Sequence, residues 1–226
     1  MKYFELKNSR DRKNVGVKPQ SEEGVFGDIQ QDFIPWEGRI DFDFMLPEPY
    51  LEKKAKQVSL LDVAFIRTTF LVIDDDFLAF LKEFEIGNHQ HWKIKTWQNK
   101  KLIHNYNLFL MNDTKQDVYI DFSNSEFYSK KLGDWDNSSI QQPVLVNDYD
   151  EYVSEKERLR KDQLMLLEKN VYLDLSKATE DMFRIVNAPP GGYFVSEKLK
   201  NAIEENGFTG MEFIEVSELD KVEVIY

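Results

Sequence analysis

The sequence predicts an α+β fold with a mixed or mainly antiparallel sheet, and three features of it do so. Short apolar runs rich in β-branched and aromatic residues recur along the chain. Two of them lead into a capping residue followed by helical periodicity. The helices do not alternate with strands at the regular cadence of a parallel sheet. With 226 residues, 42% hydrophobic and 14% aromatic, the chain can bury a sizeable core.

Taken in order, Tyr3 to Leu6 alternates weakly and reads as a first strand, after which residues 8–27 are polar and read as a loop-like, mobile basic arm. Phe33-Ile-Pro-Trp36 and a strand-like Asp41 to Leu46 follow, the latter ended by Pro47-Glu-Pro49. Phe70 to Ile73 reads as a buried strand, and Asp74 as the cap of a helix running to Phe84. Phe77, Phe80, Leu81 and Phe84 form the apolar face of that helix. Gly87 and a strand over Trp92 to Trp97 come next. Tyr106 to Met111 and Val118 to Phe122, joined by an Asn/Asp-containing connection, predict a hairpin. Residues 133–147 form a polar loop with Trp135 at its start. Tyr152 to Lys169 reads as an amphipathic helix ending in Leu164-Met-Leu-Leu167, and Val171 to Leu175 as a strand.

The densest signals lie between Thr179 and Val216. A Phe183-Arg184 strand leads through Pro189-Pro-Gly-Gly into Tyr193-Phe-Val195. Ser196 then caps a helix carrying Leu199, Ala202 and Ile203, and Asn206-Gly207 stops it before a strand over Phe208 to Val216. This strand–helix–strand unit weakly repeats the one around Asp74, which points to two similar units on one framework, with tandem domains as the alternative.

Charge and composition narrow the function classes. The net charge is −12, with 41 acidic and 29 basic residues. Residues 1–20 hold six Lys/Arg against Glu5 and Asp11, which leaves 23 basic and 39 acidic residues, a net −16, for the rest. Such a body disfavours nucleic acid and membrane surfaces and favours basic partners. The absence of cysteine rules out disulfides and thiol chemistry. Residues 1–8 lack an apolar stretch of signal-peptide length and no run of about 18 apolar residues occurs, so a cytoplasmic location is expected.

Candidate chemistry is sparse. His89-Gln-His91 would place two imidazoles on one strand face, and with His104 could hold a metal for a metal-dependent hydrolase. Asp74-Asp-Asp76 could bind a hard cation but is explained by helix capping. Pro189-Pro-Gly-Gly lacks the pattern of a phosphate loop, and no Gly-x-Ser-x-Gly elbow occurs. The tryptophans can serve as interface anchors. A lone Arg184 beside Phe183 is expected to pair with a structural carboxylate.

The Phe183-Arg184, Val195-Ser-Glu-Lys198 and Thr209-Gly-x-x-Phe213 elements resemble the C-terminal signature of an immunity-protein family of bacterial polymorphic-toxin systems, first catalogued as a domain of unknown function. Tyr106-Asn-Leu-Phe-Leu110 and Tyr119-Ile-Asp121-Phe-Ser123 fill its upstream places, and the resemblance spans residues 60–216. It implies a non-enzymatic protein without cofactor that binds and occludes a cognate toxin domain, here a basic one. The chain as a whole is read as a single α+β domain over 1–226, irregular over 1–58 and family-like over 59–226. The expected contact residues are Trp36, Trp97, Trp135, Asp134 and Asp136.

Overall fold

The computed structural model describes residues 1–112, 118–133 and 142–226. In chain order the first elements are β1 (Tyr3–Asn8), α1 (Arg12–Val15), β2 (Glu23–Val25), β3 (Glu48–Leu51), β4 (Leu60–Leu61), β5 (Leu71–Asp74) and α2 (Asp75–Leu81). They are followed by β6 (His89–Gln98), β7 (Lys101–Met111), β8 (Ile120–Lys131), β9 (Gln142–Val144), α3 (Tyr149–Lys161) and β10 (Leu164–Asp174). The last are β11 (Met182–Ile185), β12 (Gly192–Ser196), α4 (Glu197–Glu205), β13 (Met211–Glu215) and β14 (Val222–Ile225). The fold is α+β. Three mixed or antiparallel sheets have the orders β11-β12-β1-β13, β14-β10-β8-β9 and β2-β3-β6-β7-β5-β4.

Alternation along the first of these sheets explains the layering, because successive strand residues face opposite ways. Tyr3, Phe183 and Phe194 face Phe122, Phe127, Val171 and Leu173 of the β8–β10 sheet, with Tyr152 of α3. Their neighbours Met182, Tyr193 and Val195 face the other way, onto Ile73, Phe109 and Met111 of the six-stranded sheet. Helices α2 and α4 share that second core through Phe77, Leu81, Leu199 and Ile203. The far side of the six-stranded sheet, with Val72, Tyr106, Leu108 and Leu110, is roofed by Ile29, Ile34 and Ile40. Each such isoleucine contributes about 1.5–3 kcal/mol by burial.

The two strand–helix–strand units match strand for strand. β5 and β6 both run antiparallel to β7, which lies between them, and β4 pairs outside β5. β12 and β13 both run antiparallel to β1, and β11 pairs outside β12. Asp74 caps α2 by accepting the Phe77 amide at 2.7 Å, and Ser196 caps α4 by accepting the Leu199 amide at 3.1 Å. In the first unit a hairpin delivers the central strand. In the second, the start of the chain fills the same place.

Several expectations are corrected. The segments Tyr106 to Met111 and Val118 to Phe122 do not pair: β7 lies between β5 and β6, and β8 between β9 and β10. The hairpin instead joins β6 to β7 at Asn99-Lys100, both at positive φ (51° and 64°), the conformation that matches strand twist. The helix expected to reach Lys169 stops at Lys161, its last turn basic as the dipole favours; Gln163 turns at φ 58°, and Leu164-Met-Leu-Leu167 is strand. α2 ends at Leu81, three residues before Phe84. Asp41 to Leu46 forms no strand, whereas β3 contains the buried Pro49, whose partner is Gly24 of β2.

The basic arm is packed against the body, not a mobile loop: Val15, Gln20 and Ser21 are buried, and the Gln20 amide bonds the Lys56 carbonyl and the Asp62 amide. Residues 1–58 thus contribute an interior strand of the first sheet, a short helix, and the outer pair β2 and β3 of the six-stranded sheet, of which only β2 is an edge. Within residues 133–147, β9 is strand, while Asp134, Trp135 and Asp136 fall outside the described residues.

One buried carboxylate ties the second unit together. Asp181 accepts Ser196 Oγ at 2.7 Å, Lys198 Nζ at 2.8 Å and the Glu85 amide at 3.2 Å. Burial opposes its charge, yet Lys198, Ser196 and the Glu85 amide hold its pKa below the ordinary aspartate value. A depressed folded pKa gives stability that is present above the unfolded value, near pH 4, and is lost as pH falls through the folded value. Asp74 acts in the opposite sense, since burial raises its pKa despite its bonds to the Phe77 amide and Ser59. Asp181→Asn is therefore expected to cost about 1–3 kcal/mol at pH 7 and to flatten the acid limb of stability. Thermal unfolding from pH 7 to 3 checks this, and an unchanged acid limb would refute it.

Candidate functional site

Residues 22–50 contain eight Asp/Glu against Arg39, which is itself bonded to Asp41. Charge repulsion and the prolines at 35 and 47 leave most of the segment without ladder pairing, Pro49 lying in β3 itself. It nevertheless holds one shape, because polar side chains grip its backbone. Arg67 donates to the carbonyls of Ile34 at 2.9 Å and Gln31 at 2.8 Å, and its guanidinium lies 4.6 Å from the Trp36 ring centroid. Gln90 clamps the Ile40 amide and carbonyl at 2.8 Å each. The Asp28 carboxylate accepts the Met45 amide at 2.6 Å.

While Ile29, Ile34 and Ile40 point inward, the intervening apolar residues point out. Phe33 is 57% exposed, Met45 55%, Phe26 52%, Trp36 49% and Phe42 46%. Phe33 and Phe42 sit 5.9 Å apart, and Phe26 leans on Phe65 at 4.5 Å. Isolated exposed apolar residues are ordinary, whereas several of them on one segment amid carboxylates make a candidate interaction face. Such a face suits a partner with basic and apolar groups. Of the five, sequence reading singled out only Trp36: an irregular segment has no period from which to tell inward from outward residues.

Trp36 stands between two clefts. One, of about 310 Å³, is lined by Thr69, Arg184 and Asn187, and the other, of about 470 Å³, by Tyr152, Lys156 and Glu168. Trp97 lies elsewhere, in a third cleft of about 350 Å³ beside Tyr50. The expected anchors Trp36 and Trp97 are thus not brought into one cleft.

No family model matches the chain, and no curated protein matches it significantly.

The remaining candidates have structural places. His89 and His91 stack 6.2 Å apart on β6, and His89 also stacks on Phe109. Burial, followed by Lys82 and His89, lowers the pKa of His91. His104 does not join them. The register pairs Ile94 with Tyr106 and Thr96 with Ile103, so His104 falls in a bulge opposite Lys95. That is four residues beyond His91, about 13 Å along a strand. Among the described residues no group of three His, Asp or Glu stands close enough to hold a metal. Asp75 bonds Lys93 and Asn107, which with the Asp74 cap accounts for two of the three adjacent aspartates.

In the basic arm, Lys7 pairs with Glu5, Arg10 with Glu212 and Lys18 with Asp62. Arg184, expected to meet a carboxylate, donates to the carbonyls of Met111 at 2.7 Å, Thr69 at 3.4 Å and Trp36. No helix among the described residues is long and apolar enough to cross a membrane.

Proposed function

We propose that this chain is a non-enzymatic immunity protein that binds a basic bacterial toxin domain in the cytoplasm and neutralises it by occlusion. The observation that carries this reading is the pinned, acidic and aromatic face of residues 22–50, with Phe33, Trp36 and Phe42 about half exposed. The −16 body steers a basic partner at long range, and a few aromatic anchors set the lifetime of the complex. The resemblance of the Thr179 to Val216 segment to immunity proteins agrees with this reading.

Co-expression with the toxin domain encoded beside it is expected to restore growth and yield a stable complex. Phe33→Ser with Phe42→Ser is expected to weaken binding about 10- to 100-fold while leaving the unfolding midpoint nearly unchanged, because both rings face solvent. Raising salt should slow association more than it speeds dissociation. Absence of both complex and rescue would end the proposal.

A further inference from the structure

Tyr50 of β3 and Trp97 of β6 are direct neighbours in the parallel register, so both rings stand on one face of the six-stranded sheet. They wall the cleft of about 350 Å³ whose end is the Asn99-Lys100 turn. Tyr50 is 42% exposed and Trp97 half-buried, so both offer ring surface to a ligand. Glu48, two residues before Tyr50 and on the same face, accepts Trp97 Nε1 at 3.1 Å and Lys95 Nζ at 3.2 Å. The Trp97 hydrogen bond, followed by Lys95 against the cost of burial, lowers the pKa of Glu48. Glu23 of β2 is the partner of Tyr50 on its other side.

We infer that this cleft receives one arginine side chain of the basic partner, its guanidinium lying against the Tyr50 and Trp97 rings and bonding to Glu48. This rests on the reading of the chain as a binder of a basic domain. A planar guanidinium stacks on aromatic faces and matches a carboxylate fork, which an ammonium does not. A carboxylate has about four acceptor sites, and Glu48 uses two of them on Lys95 and Trp97. Lys95 is largely exposed, and an exposed pair of this kind is cheaply rearranged. Glu23 adds a second negative charge beside the ring. Among the described residues, Lys100 is the cation lining the cleft and Lys95 the one already on Glu48; replacing Lys100 by glutamine should strengthen binding.

The test follows the Trp97 indole N–H resonance, assigned through Trp97→Phe, during titration with acetyl-Gly-Arg-Gly-amide and with acetyl-Gly-Glu-Gly-amide. A saturable shift with the arginine peptide alone, reduced at least fivefold in Tyr50→Ala and Glu48→Gln, is expected. No shift, or an equal shift with both peptides, overturns the inference. With the toxin domain, Tyr50→Ala is expected to weaken binding about tenfold. Unaltered toxin affinity in that variant overturns the arginine cleft and leaves the immunity reading standing. Arginine-peptide binding without toxin binding does the reverse.

Discussion

Gly210→Ala is expected to lower the free energy of unfolding by about 3–5 kcal/mol, roughly a 6–20 °C fall in midpoint for a chain of this length. Gly210 has φ +93°, and a Cβ there would lie 2.2 Å from the Leu60 carbonyl oxygen and 2.6 Å from Val58 Cγ2. Retreat is opposed on both sides, since Thr209 accepts the Leu60 amide at 3.1 Å and the Val58 carbonyl accepts the Tyr106 hydroxyl at 3.0 Å. The turn is where the second unit is laced to β4 of the first. Gly207→Ala is the control: its φ is +72°, but nothing lies within 4 Å of the added methyl. Only left-handed strain remains there, about 1–2 kcal/mol. Equal losses for the two variants in urea denaturation would refute the close-approach argument.

The second large effect is expected at Arg184, 1% exposed. Its guanidinium gathers the Met111, Thr69 and Trp36 carbonyls, and the Tyr193 hydroxyl donates to Thr69 at 2.6 Å. Arg184 and Tyr193 thereby join the β1 sheet to the end of β7 and to the segment 22–50. Arg184→Met strands buried carbonyls at about 1–3 kcal/mol each, so a total loss of about 3–5 kcal/mol is expected. Arg184→Lys should recover less than half, because a point charge cannot reach acceptors spread around a fork. Amide exchange around residues 36–41 should accelerate in both variants, and toxin binding should weaken with it. Full stability in Arg184→Lys would sink the fork argument.

These two residues belong to the motifs that were most legible in the sequence, and their physical roles were not. Ser196 and Asp74 were readable as caps because the signal is local: an oxygen one residue before an apolar helix face, satisfied within three residues. Leu164 to Leu167 was misread because four apolar residues fit a helix as well as a strand, and only pairing with β8 decides. The β7–β8 hairpin failed for a related reason. Both strands were found, but a strand carries no mark of which edge it joins.

The candidate site divides in the same way. Trp36 and Trp97 were visible as anchors, while their separation into different clefts was not. The exposure of Phe33 and Phe42 is not legible in the sequence, since it depends on Arg67, Gln90 and Arg184 gripping the segment from elements distant in the chain. By itself the sequence determined the fold class, the two capped strand–helix–strand units and the acidic balance, because caps, periods and charge are set by residues near one another. Which strands pair, where the first strand inserts and which aromatics reach the surface were decided by the tertiary structure, through contacts whose residues lie scores of positions apart.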